Sequence, residues 1–262
     1  MAGELEGKIA VITGGSRGIG RAIAARLAAD GADSLLAARG KEDLSRAAAE
    51  IAEASGRRVE YFAGDLRSLG GCEAFAEAAR RAYGGVDILV NCAAAMQGGR
   101  FVEVADEAWD DGFALKFFAC VRLSRLMWPM LKERHGSIIN IIGGYARTPD
   151  PDFMIGGAVN AAMANFSKAL AGLGLRDDVN VNAVHPGSTR TGRLEGIIAT
   201  QAELAGTTAE EAERARFEAE GVRRFGEPED VASLVAFLCS PAARHIHGGA
   251  IAVDGGATKG VY

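Results

Sequence analysis

The 262-residue chain is 48% hydrophobic and 24% charged, a balance that excludes a disordered protein and supplies enough apolar surface for a sizeable core. Its net charge of −5 argues against a nucleic-acid binder, which would need a basic face. The 35 glycines, beside only 6 prolines and no three-residue period, exclude collagen and point to turns and close backbone approaches.

Taken in chain order, residues 8–13 form a short Ile/Val-rich run bounded by glycine and read as a buried strand. A helix follows over 18–30, with Ile23 and Leu27 four apart on one face. The pattern then repeats: strand 34–38 and helix 42–55, strand 59–63 and helix 71–83, strand 87–91 and a long helix over 108–134. The second half gives strand 137–142, helix 157–175, strand 179–184, helix 229–239 and a last strand, 250–253. Short apolar strands alternating with helices specify βαβ units. The reading is α/β: one Rossmann-like, doubly wound parallel sheet of about seven strands with helices on both faces, spanning 1–262 as a single domain. Residues 188–224 break the rhythm. They are rich in Glu, Ala and Arg, are interrupted by Gly196, Gly206 and Gly221, and read as a lid-like insertion over a site at the strand ends.

Cys72, Cys92, Cys120 and Cys239 are far apart with no C-x-x-C pair, so neither a metal centre nor a disulfide framework is expected. No apolar stretch reaches the roughly 18–20 residues of a membrane helix. The start, MAGELEGKIAVITGG, lacks the pattern of a signal peptide. A cytoplasmic protein without membrane contact is the expectation.

The octapeptide Thr13-Gly14-Gly15-Ser16-Arg17-Gly18-Ile19-Gly20 joins the first strand to the first helix, where a dinucleotide-binding turn belongs. Gly14 suits the tight turn, Gly18 the close approach of a pyrophosphate, and Gly20 the packing of helix on strand. The free N–H groups at the helix start, with its positive dipole end, would receive the phosphates. This octapeptide resembles the TGxxxGIG turn of the short-chain dehydrogenase/reductase family. The resemblance continues along the chain in Asp65-Leu66, in VDILVNCAA with Asn91 and Ala93, and in VNAVHPG with Pro186 and Gly187, followed by Thr189 and Thr191. It ends with RFGEPED, FLCSPAA and the Asp254–Gly256 run. It implies that Asp65, Leu66, Asn91, Ala93, Pro186, Gly187, Thr189 and Thr191, with Gly14, Ser16, Arg17, Gly18, Ile19 and Gly20, line a nicotinamide dinucleotide. It also implies a homotetramer or homodimer acting on a small molecule. At the end of the second strand an acid would accept the ribose 2′-OH of NAD(H), whereas basic groups suit the 2′-phosphate of NADP(H). Ala38 stands at the acidic position and Arg39 follows it. With Arg17 in the glycine turn, NADP(H) is expected over NAD(H).

The same resemblance implies a Ser, a Tyr, a Lys four residues after the Tyr, and an Asn on the central helix. Local spacing puts Gly143 at the Ser, Gly156 at the Tyr, Asn160 at the Lys and Lys116 at the Asn. Two readings of different classes follow. In one, an oxidoreductase acts on a carbonyl, alcohol or enoyl substrate through a rearranged site. Tyr145, two residues past Gly143 and so on the same face of an extended strand end, supplies the phenol, and Lys116 supplies the charge that lowers its pKa. In the other, the chain binds NADP(H) without turnover and serves as a sensor, scaffold or partner subunit. His185 reads as a satisfied structural histidine. Phe153, Met154 and Ile155 read as an apolar pocket wall suited to a hydrophobic or acyl substrate.

Overall fold

The computed structural model describes residues 3–259. Seven strands form one sheet, in the order β3-β2-β1-β4-β5-β6-β7 with every pairing parallel. They are β1 (Ile9–Thr13), β2 (Asp33–Ala38), β3 (Val59–Ala63), β4 (Ile88–Asn91), β5 (Ser137–Ile141), β6 (Asn180–Pro186) and β7 (Ala250–Val253). The order reverses between β1 and β4, and a crevice for ligands opens beyond the carboxyl ends of strands at such a switch point.

Successive residues of each strand point to opposite faces, and both faces of β1, β2, β4, β5 and β6 are covered. Ile12 and Leu36 join Ile23 and Leu27 of α1 (Gly18–Ala29), Leu44 of α2 (Lys41–Ser55) and Val235 of α9 (Pro228–Cys239). Val11, Leu35 and Leu89 face the other way, against Phe75 of α3 (Leu69–Tyr83) and Leu123 and Met127 of α5 (Ala119–Glu133). Burying each such side chain contributes about 1.5–3 kcal/mol. This two-sided burial is why the strands read as unbroken apolar runs.

The expected long helix over 108–134 is not uniform. It consists of α4 (Asp106–Gly112), a π-helical turn at Phe113–Phe118, and α5. A π turn carries an extra residue, so the 3.6-residue pattern slips there and the adjacent Leu115 and Lys116 are both buried. The helix expected over 157–175 runs longer, as α6 (Met154–Asp177). Residues 188–224 hold two helices, α7 (Gly192–Ala205) and α8 (Ala209–Glu220). They close on a small core of their own: Leu194, Ile198, Ala202, Ala212, Val222 and Phe225. Thr191 caps α7, and Thr208 with Glu211 makes a reciprocal capping box on α8. Among the described residues no helix is long and apolar enough to cross a membrane, and no cluster of His, Cys, Asp or Glu could hold a metal.

Candidate active site

The glycine turn is built by close contacts that only glycine permits. The amides of Gly14 and Gly15 donate to the Ala37 carbonyl at 2.8 and 3.2 Å, tying the turn to β2. Gly14 has φ +73°, a conformation costly for a residue with a Cβ. A Cβ on Gly20 would lie 2.2 Å from the Gly14 carbonyl oxygen, so a side chain there would push the helix off the turn. Arg17 precedes α1 without a side-chain cap, and the first turn of α1 carries no acid. Its amides are therefore open to an anion. The Thr191 methyl lies 3.2 Å from where a Gly18 Cβ would be, which closes the turn from the α7 side. Thr13, at the end of β1, accepts hydrogen bonds from the amides of Cys92 at 2.9 Å and Ala93 at 3.0 Å. It thereby fixes the segment after β4 beside the turn.

The residues expected around a dinucleotide lie at or just beyond the carboxyl ends of the strands. Arg17 and Arg39 are exposed, and neither makes a hydrogen bond or ion pair among the described residues. Asp65, after β3, accepts from the Arg67 amide at 2.9 Å and pairs with its guanidinium at 3.0 Å. Burial pushes the Asp65 carboxyl up, but the bonds and charge of Arg67, with a smaller share from Arg39, hold it below the usual range. Leu66 is buried beneath it. Asn91 is turned into the sheet, its Nδ2 donating to Asn140 Oδ1 at 2.9 Å, while its own Oδ1 has no partner. Pro186 ends β6. Gly187 follows, its amide donating to Val253 at 3.0 Å. Thr189 donates to the Gly187 carbonyl at 3.0 Å and Thr191 to the Thr189 carbonyl at 3.2 Å.

Three of the four positions taken from family spacing meet at the end of β5. The π turn buries Lys116 to 6% exposure, against Asn160 of α6 at 2%. Lys116 Nζ donates to Asn160 Oδ1 at 2.6 Å and to the carbonyl of Ile142. Gly143 has φ +131°, and a Cβ there would lie 3.0 Å from Asn160 Nδ2. Burial lowers the Lys116 ammonium, and the charge of Arg193 lowers it further, to about 7. An ammonium has three donors; two are used here. The fourth position, Gly156, lies in the first turn of α6, and its face is covered by an aromatic ring. A Cβ there would meet the Phe153 ring at 1.8 Å.

Tyr145 and Lys116 are not joined. The Tyr145 hydroxyl accepts from Arg216 Nη2 of α8 at 3.1 Å, and its ring packs on Phe153 with centroids 5.0 Å apart. Arg216 is held by Glu220 at 3.0 Å and by Ser188 Oγ at 2.8 Å. Ser188 in turn donates to Glu220 at 2.5 Å. The physical reason is local: Lys116 is already claimed by two acceptors inside the core, whereas Gly144–Ala146 forms a single 3-10 turn that carries Tyr145 towards Arg216 of α8. His185 is only half satisfied. Its Nδ1 donates to the Gly143 carbonyl at 3.1 Å, and Nε2 is buried without a partner. Burial lowers its pKa, leaving a neutral ring with an open acceptor.

Sequence reasoning missed Asn160 as the partner of Lys116, and missed Arg193 and Arg216. A signal for the first existed: a lysine within the apolar run Leu115–Phe118 needs a buried acceptor, and Asn160 stands alone as a polar residue between Val159 and Ala161.

A family model described as enoyl-(acyl carrier protein) reductase matches residues 14–258. An uncharacterized oxidoreductase of Mycobacterium tuberculosis is 37% identical over 257 residues, covering 97% of this chain and 93% of that protein. The 3-oxoacyl-[acyl-carrier-protein] reductase of Escherichia coli is 34% identical over 255 residues, covering 96% and 97%. The crystal structure of L-sorbose reductase from Gluconobacter frateurii, complexed with NADPH and L-sorbose, superposes with a TM-score of 0.91 at 36% identity and full coverage of both chains.

Proposed function

Because the chain belongs to the short-chain dehydrogenase/reductase family of oxidoreductases, we propose that it is an NADP(H)-dependent carbonyl or enoyl reductase, or the reverse alcohol dehydrogenase, in which Lys116 moves the proton. The single observation that carries this reading is the buried Lys116–Asn160 pair beside Gly143, with its pKa brought to about 7.

The crevice fits the cofactor. Gly14 and Gly20 let the turn and α1 pack closely, the amides at the start of α1 are uncapped, and Arg17 and Arg39 are unpaired cations suited to a 2′-phosphate. The NADPH complex of the L-sorbose reductase supports the same choice. When bound, the cofactor supplies or accepts the hydride. The chain supplies the proton. In reduction, the third N–H of the Lys116 ammonium donates to the substrate oxygen as the carbon gains hydride, leaving a neutral amine. Asn160 and the Ile142 carbonyl hold Nζ in place throughout. A donor with a pKa near the working pH is the efficient one. In the oxidative direction the neutral amine takes the hydroxyl proton. Tyr145 and Arg216 act on the lid rather than on the proton. Phe153, Met154 and Ile155 wall the substrate side.

The test is NADPH oxidation against a panel of ketones, oxo acids and enoyl thioesters, with Lys116→Met and Tyr145→Phe beside the parent. Activity should fall by about 10²-fold or more in the first, with little change in kcat in the second. NADPH binding without turnover of any substrate would favour a silent cofactor-binding protein.

A further inference from the structure

Arg193, the second residue of α7, is the unusual charge of the crevice. Its guanidinium lies over the Phe153 ring, 5.7 Å from the centroid, on the side of the crevice where Phe153 packs on Tyr145. Its charge reaches Lys116. The other arginines that fasten this segment have carboxylates: Arg190 with Glu213 at 3.3 Å, Arg216 with Glu220 at 3.0 Å, and Arg224 with Asp230 at 2.6 Å. Arg193 has neither an ion pair nor a hydrogen bond among the described residues, and the groups that couple to its charge are Tyr145 and Lys116, with no carboxylate among them.

The side chain is open to solvent, yet enough protein surrounds it that desolvation lowers its pKa. Both hold for a group in the wall of an open cleft, in reach of a ligand and poorly served by water. A guanidinium in that position is unsatisfied in the way that a planar anion satisfies, since its fork matches a carboxylate with two parallel hydrogen bonds. Lys116 is the second positive group, His185 is neutral, and Glu220 is committed to Arg216 and Ser188.

From this geometry we infer that Arg193 is a specificity-determining residue that binds an anionic group of the substrate, so that the protein acts on an oxo acid or hydroxy acid. The inference rests on the reductase reading and names its substrate class. The carboxylate sits against Arg193 and the reacting carbon faces Lys116. The anion also removes the repulsion that Arg193 exerts on Lys116. The bound substrate therefore favours the protonated, donating form of its own acid.

The test is calorimetric binding of matched pairs, oxo acids of four to eight carbons and their methyl esters, to the full chain. It is run with saturating NADP+ and without it, on the parent, Arg193→Gln and Arg193→Lys. In the parent the acids should bind at least ten-fold tighter than their esters. Arg193→Gln should abolish most of that preference, Arg193→Lys should keep part of it, and NADP+ affinity should stay within about two-fold. The inference is overturned if esters bind as well as acids, if no acid binds, or if Arg193→Gln leaves the preference intact. It is equally overturned if Arg193→Gln weakens NADP+ as much as the acids, which would place the guanidinium on the cofactor. Because the readout is binding, an absence of turnover would sink the reductase reading while leaving this result legible.

Discussion

Replacing Lys116 by methionine tests the burial of the amine without requiring a substrate. The unfolded chain exposes Lys116 with its ordinary pKa of 10.5, whereas burial and Arg193 bring it to about 7 in the fold. Between those values the unfolded chain binds a proton that the folded chain lacks. Stability from this group therefore rises with pH through the window, and below pH 7 the fold bears the full cost of a buried ammonium. At about 1.4 kcal/mol per pH unit, the full gap of about 3.5 units corresponds to roughly 5 kcal/mol. The part between pH 7 and 9 is about 3 kcal/mol. Lys116→Met removes this dependence. It also leaves Asn160 Oδ1 and the Ile142 carbonyl without their donor, at about 1–3 kcal/mol each. That offset is the same at every pH, so the slope is diagnostic and the offset is not. Urea unfolding of both proteins at one concentration, at pH 6 and pH 9, should show the parent gaining about 3 kcal/mol on the variant. A constant gap between the two would mean that Lys116 titrates like an exposed lysine, and the reasoning from its burial would fail.

Three further outcomes follow from the crevice. Arg39→Ala should weaken NADPH by about ten-fold or more, as the loss of one charge-assisted hydrogen bond implies, and leave NADH little changed; fluorescence titration of both cofactors decides it. Gly20→Ala forces a Cβ against the Gly14 carbonyl, which would lie only 2.2 Å away. It should cost at least ten-fold in NADPH affinity with the far-ultraviolet circular dichroism unchanged, and unaltered affinity would count against the cradle. Arg216→Ala removes the contacts to Tyr145, Ser188 and Glu220, so hydrogen exchange should quicken across α7 and α8 while Ser137–Ile141 stays protected; equal protection in parent and variant would mean that these contacts do not hold the two helices in place.

The fold was readable because its rules are local. Strands buried on both faces read as apolar runs, helices as a 3.6-residue period, and all seven strands fall within a few residues of their expected bounds. The glycine turn was readable because the contact that requires Gly20, with the Gly14 carbonyl, lies within a single βα unit. The proton-handling site was less legible. Lys116 enters it through a π turn, which amphipathic periodicity does not encode, and its partner Asn160 lies 44 positions away on another helix. Tyr145 was expected beside Lys116 because alternation on a strand puts residues 143 and 145 on one face. The chain leaves the strand at Ile141, and the following 3-10 turn sends the phenol to Arg216. Arg193 carries no sequence mark, since its lack of a carboxylate is a property of three elements packed together. Residues 188–224 stand out by composition, but the small apolar core on which α7 and α8 close does not.

The most direct test of the account is the pH dependence of NADPH-driven reduction from pH 6 to 9, for the parent and Lys116→Met, on the best substrate of the panel. The parent rate should fall as pH rises through the Lys116 pKa, about 7 in the free protein. The variant should be slower by about 10²-fold or more at pH 6 and should lack that fall. A Lys116→Met protein that keeps the parent rate and the parent pH profile would contradict it.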